Sequence, residues 1–186
     1  MKTRCLVTGC LLAMVCLSLA CDAPATPAPT PHLLARPPEP NLVRNGSFGE
    51  GLAGWQRVVD ENATAVLAHD QTGFVTVTVP AGSAPQDAGW SASAPVDGGA
   101  SYVASWRVHT EGLAGYATSR LRCYDAEGNL LAEAAGPPAL GDTAWTLRAC
   151  RLRAPAGAVR AEVRPGVHGA TGGRAAFDDV SLCLES

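Results

Sequence analysis

NLVRNGSFGEGLAGW (residues 41–55) and, 120 residues further on, AAFDDVSL (residues 175–182) bracket a stretch in which every apolar run is short. In the first of them Asn45–Gly46 is a strong turn pair between Leu42–Val43 and Phe48, and Gly54 precedes Trp55. Runs compatible with strands follow at 58–59, 63–68, 73–79, 90–94, 101–109, 117–125, 130–134, 144–153, 159–166 and 175–184, with Gly, Pro and Asp between them. GFVTVTV at 73–79 alternates most cleanly. No run has a 3.6-residue apolar period of helical length, and no internal repeat is visible. Regular short strands with turn signals between them predict an all-β chain folded as a two-sheet β-sandwich.

Alternation assigns faces. In SYVASWRVH (101–109), Tyr102, Ala104, Trp106 and Val108 share one side, and Arg107 and His109 the other. In RLRCYD (120–125), Leu121 and Cys123 oppose Arg120, Arg122 and Tyr124. Arg160, Glu162 and Arg164 alternate with Val159, Ala161 and Val163. These arginine rows read as a solvated sheet face rather than an anion site. Cys123 and Cys150 both take inward parity, and exported thiols that lie close together oxidise, so that pair is the expected disulfide. Cys183 has the opposite parity to Leu182 and is the odd one.

The two end motifs resemble those of the carbohydrate-binding modules of the family 4/9 type, relatives of the galactose-binding-like jelly rolls. The resemblance covers roughly residues 41–184. It implies a jelly roll over 41–186 that binds a polysaccharide or oligosaccharide without transforming it. It also implies Trp55, Trp106 and Trp145 in the core, and leaves Trp90, between Ser91 and Gly89, as the ring for sugar stacking. Arg107, His109, Tyr116, Arg122 and Tyr124 are the candidates to complete the groove. Such modules often carry a structural calcium, here expected at Glu50 and Asp178. In this sequence Gly49 comes between Phe48 and the acid, which shifts that ligand by one residue. Asp178 shares parity with Val180 and Leu182, so it should point inward and need either an ion or a shell of backbone N–H donors.

Ahead of the module, residues 1–20 have a short positive head, Lys2 and Arg4, and an uncharged apolar run that fits a signal peptide. Leu17–Ser18–Leu19–Ala20–Cys21 resembles a bacterial lipobox, with Cys21 the acylated residue; ordinary cleavage near Ala20 is the alternative. Acyl chains on Cys21 would give a membrane anchor and a place in the bacterial cell envelope, periplasmic or surface-exposed. Residues 21–40 form a Pro/Ala/Thr-rich linker. Seven of the nineteen residues at 22–40 are proline, which favours an extended polyproline II tether reaching roughly 60 Å.

The chain has 186 residues, net charge −3, and Lys2 as its only lysine, which argues against nucleic acid as a partner. No nucleophile elbow, P-loop, HExxH or dinucleotide fingerprint occurs, and no carboxylate pair is placed by sequence as a glycosidase would need. The expectation is therefore a non-enzymatic binding lipoprotein. The alternative is an envelope-structural or protein-interaction lipoprotein that keeps the sandwich and has no sugar site. Only 5% of residues are aromatic, which keeps that alternative open.

Overall fold

A computed structural model describes residues 40–185. The signal, Cys21 and all of the linker but its last residue lie outside the described residues. Eight strands follow the opening loop: β1 (Gln56–Val59), β2 (Val66–Asp70), β3 (Phe74–Val79), β4 (Gln86–Pro95), β5 (Ser101–Tyr124), β6 (Leu130–Ala135), β7 (Ala139–Arg153) and β8 (Arg160–Leu184). All pairings are antiparallel, and no helix occurs among the described residues. The result is the predicted two-sheet jelly-roll sandwich.

Two strands are far longer than the sequence suggested. The separate runs expected at 101–109 and 117–125 are one strand, β5, and those at 159–166 and 175–184 are one strand, β8. Each serves both sheets. The first sheet is ordered β7–β5–β8–β3–β2 and uses the start of β5 and the end of β8. The second is ordered β6–β5–β8–β4–β1 and uses the end of β5 and the start of β8. The strands cross from one sheet to the other at register shifts around Glu111–Tyr116. Gly112, Gly115, Gly169 and Gly173 adopt positive φ there, a conformation that lets a strand bend without breaking its ladder.

The core lies between the sheets. Trp106, Val108, Phe177, Val75 and Val77 enter it from the first sheet, and Trp90, Leu121, Val163 and Val167 from the second. Trp106 reaches the backbone of Gly136, where an added Cβ would collide with the indole ring.

The end motifs meet as expected. Leu42 N–H donates to Leu182 O (2.8 Å) and Val180 N–H to Gly46 O (2.8 Å). Asn41 spans the junction, accepting from Leu182 N–H (2.9 Å) and donating to Val180 O (3.1 Å). Gly46 is required here because a Cβ would overlap the Val180 carbonyl. Phe48 is fully buried and packs on Trp55, whose indole N–H donates to Asn45 O (3.1 Å).

The expected Cys123–Cys150 disulfide is not formed, and Cys123, Cys150 and Cys183 are free thiols. Both residues of the pair do point inward, but from different sheets. Cys123 is paired with Ala132 and Ala161, and Cys150 with Ala104. Cys150 Sγ crosses to the second sheet but points at Ala134 O (3.9 Å), in the Leu121–Ala134 pair and not the Cys123–Ala132 pair, so the two side chains are not aligned for a bond that needs Cβ atoms about 4 Å apart. Burial pushes the Cys150 thiol up to about 11 and raises that of Cys123.

Candidate functional site

The six residues expected to form one groove fall into three places. Trp90 is fully buried, so it is a core residue and not a stacking platform. On β4 it shares its side with Ala88, Ala92 and Ala94, all buried, and fills the space these small residues leave. Its indole N–H donates to Thr76 O (3.4 Å), and Arg57 covers the ring at the sheet edge. Trp145, expected in the core, is instead half-buried on edge strand β7, packed against Phe74 and His109 at 5.7 and 5.6 Å between ring centroids.

Arg107 and His109 belong to the outer side of the first sheet. Arg107 is 3% exposed and not available to solvent as a groove residue. Its Nε lies 3.1 Å from Asp179 Oδ2. It is paired in register with Asp178, next to the inward pair Val108–Phe177, so Asp178 faces away from the core. The alternation from Val180 and Leu182 fails because β8 has a bulge. Between the pairs Arg107–Asp178 and Ser105–Ser181, three steps on β8 match two on β5, and Asp179 takes φ +48°.

Of the two residues expected at a calcium, Glu50 lines the cleft where the end motifs meet and Asp178 does not; Asp179 stands there instead. Glu50 is exposed and paired with Arg44 at 3.3 Å. Asp178 is buried, with its Oδ1 accepting the N–H of Asp179 (2.7 Å). Calcium takes six to eight oxygens, usually with several carboxylates. Among the described residues no three His, Cys, Asp or Glu side chains gather where they could hold a metal. A cleft of about 370 Å³ does open where the end motifs meet, lined by Asn45, Ser47, Glu50 and Asp179.

Tyr116, Arg122 and Tyr124 do come together, on the outer side of the second sheet. Register builds the face in rows. The first row pairs Tyr116 with His168, and the next is Thr118–Gly166–Gly89. Arg120–Arg164 follows, then Glu133–Arg122–Glu162–Ser93, and last Tyr124–Arg160–Pro95. Sequence reasoning had the arginine alternation but missed Glu133, Asp87 and His168. Those residues lie far apart in the chain, and only strand pairing unites them.

The polar groups are tied down. Glu133 accepts from Arg122 Nε (2.6 Å) and Arg120 Nη1 (3.2 Å). Tyr124 Oη donates to Glu162 (2.8 Å), while the Arg160 guanidinium covers the Tyr124 ring at 4.1 Å and donates to Ser93 Oγ (3.2 Å). Burial and the bond to Glu162 hold the Tyr124 phenol above its ordinary range. His168 is buried, and its Nδ1 lies 2.8 Å from Asp87 Oδ2. Arg120 Nη2, which only donates, lies 3.3 Å from the same nitrogen, but the shorter contact is to a carboxylate, which only accepts, and favours the proton of the neutral ring on Nδ1. The other nitrogen, Nε2, is buried without a partner, and burial lowers the pKa of His168. Burial opposes ionisation of Asp87, but bonds from His168 and from Gly169 N–H outweigh it and hold its carboxyl below the usual range.

Tyr116 supplies the open ring. Gly115, at φ +134°, lets the backbone pass close to Ala170, and Tyr116 then lies against the His168 ring at 5.3 Å. Tyr116 is 37% exposed. Beside it Thr118, Arg120, Gly136, Pro138 and Leu140 line a hollow of about 290 Å³.

The fold is shared with solved structures. The enzymatically active domain of bacteriophage CBA120 tailspike protein 4 matches with a TM-score of 0.64 and 18% identity, over 78% of this chain. This chain spans only 21% of that one. The CBM4 module matches with a TM-score of 0.59 and 12% identity, over 77% of this chain and 99% of the module. TmCBM61, solved in complex with β-1,4-galactotriose, matches with a TM-score of 0.51 and 19% identity, over 78% and 99%. No family model and no curated protein matches the chain. At these identities the likeness establishes the jelly-roll fold.

Proposed function

We propose that the chain binds a polysaccharide or oligosaccharide, without transforming it, on the outer face of the second sheet. The carrying observation is the open Tyr116 ring, fixed on His168, next to a row of hydrogen-bonded Arg and Glu side chains. A sugar presents an apolar ring face to such a platform and hydroxyls to such a row. Modules of the same fold that span nearly the whole of their own chains, one of them solved with β-1,4-galactotriose, support the reading. In the same proposal Cys21 is acylated and the linker holds the module off an envelope membrane.

One open ring supports weak binding, micromolar to millimolar, about −4 to −8 kcal/mol. A glycan array with the whole chain should give a small set of related hits. Tyr116→Ala should weaken them on the order of tenfold, about 1.4 kcal/mol, with an unchanged unfolding midpoint. An empty array, or hits indifferent to Tyr116→Ala, would transfer the case to the protein-interaction reading.

A further inference from the structure

We infer that the sugar recognised on this face carries a negative charge, held by Arg164. The inference rests on reading the face as a sugar site and adds the chemical class of the ligand. Arg164 is half-buried and sits directly across from Arg120, with Arg122 on the diagonal. Like charges directly opposite on a sheet are unfavourable unless something between them is negative.

The acidic groups of the face are engaged elsewhere. Glu133 is shared by Arg120 and Arg122. Glu162 accepts from Tyr124, and Asp87 accepts from His168 and Gly169. Arg160 is matched by Ser93 and the Tyr124 ring. Arg164 makes no hydrogen bond or ion pair among the described residues, while its three neighbouring arginines all do. Burial, and after it the nearby charges of Arg122 and Arg120, disfavour its protonated form by more than Glu162 and Asp87 at longer range favour it. An anion would relieve both effects at once.

The rows place that charge usefully. Between Tyr116 and the Arg120–Arg164 pair lies the row Thr118–Gly166–Gly89, which has no side chain larger than threonine. Four residues of strand separate Tyr116 from Arg120, about 13 Å at about 3.3 Å each, which is room for a short oligosaccharide. One ring can stack on Tyr116 while an acidic substituent further along reaches Arg164. A guanidinium fork matches a uronate carboxylate in two parallel bonds and also takes a sulfate ester.

The test is calorimetry on the whole chain with three probes: an oligogalacturonate, a dextran sulfate oligomer and a neutral β-1,4-linked galacto-oligosaccharide. At least one charged probe should bind on the order of tenfold tighter than the neutral one. That preference should fade as salt rises through a few tenths molar, because a half-open ion pair is screened. Arg164→Gln should bring the charged probe to the neutral level. Arg151→Gln, on the first sheet, should change nothing. Which charged probe wins separates carboxylate from sulfate.

Equal binding of charged and neutral probes would overturn the inference and leave the carbohydrate reading standing. A preference that survives Arg164→Gln would also overturn it. Absence of binding to any glycan would remove both. If Arg164→Gln does not fold, the salt series on the unmodified chain decides, and salt-independent binding of the charged probe sinks the inference.

Discussion

Trp90 shows how a single residue is misread from local composition. The serines that follow it suggested a polar surface, yet Ser91 and Ser93 face away from it, and its own side holds three alanines. Trp90→Ala should therefore cost about 3–5 kcal/mol as a core truncation, read by denaturant unfolding. Glycan affinity of the remaining folded protein should be unchanged, and a variant of native stability would return Trp90 to the surface. Arg107 carries a similar lesson: alternation put it on the outer side, but nothing in the sequence says that this side is covered. With Arg107 buried against the partly exposed Asp179, Arg107→Gln should cost about 1–3 kcal/mol, because it removes a charge-assisted contact and leaves Asp179 only water to replace it. Chelator should leave the unfolding midpoint of the unmodified chain in place, and a fall would restore a metal to the closing motif. His168 gives a pH dependence. Its folded-state pKa lies below the unfolded value of about 6.5, so the unfolded chain binds the proton more readily. Its contribution to stability is complete above that value and is lost as pH falls from there toward the lower folded-state value. His168→Gln should flatten that part of a plot of midpoint against pH, and an unchanged slope would remove His168 as the cause.

At the scale of elements, strand existence was legible and strand continuity was not. The alternating runs at 73–79, 101–109 and 117–125 appear as β3 and the two ends of β5, which stops at Tyr124. Residues 110–116, TEGLAGY, read as a break because they contain two glycines. In a sandwich whose longest strands serve both sheets, glycine within a strand marks a bend rather than an end. The Asp178–Asp179 bulge escaped for the same reason. An inserted residue reverses all alternation beyond it, and only the partner strand reveals the insertion. The candidate face was half legible, since parity joined Arg120, Arg122 and Tyr124, but Glu133, His168 and Asp87 come from β6, β8 and β4. The contact of β5 with the β6–β7 connection gives a sharp check. Gly136 lies against the Trp106 indole, and a methyl there has no space. Gly136→Ala should destabilise the domain by about 1–3 kcal/mol by overpacking, measured by thermal unfolding. A neutral result would mean that the two sheets can part at this edge.

For the molecule as a whole, the described jelly roll accounts for the space between the end motifs, and under the proposed function the sequence ahead of it decides where it is held. A weak, single-platform binder gains from being fixed near its ligand, because tethering raises the effective concentration without any new contact. In the proposed reading, an acylated Cys21 followed by the proline-rich stretch would supply such an arrangement. It also gives the cysteines different roles: Cys123 and Cys150 are buried thiols with raised pKa and little reactivity, whereas Cys21 opens the linker as the proposed acylation site. One acyl chain holds a protein to a bilayer only marginally, so stable anchoring at one cysteine needs more than one chain. In a bacterial host fed a labelled fatty acid, the unmodified chain should take up label and sediment with membranes. Cys21→Ala should abolish both while leaving the unfolding midpoint and glycan affinity of the module untouched. Label retained in Cys21→Ala would place the acyl group elsewhere. Membrane association without any label would mean that the module itself, and not a lipid, holds the chain at the envelope.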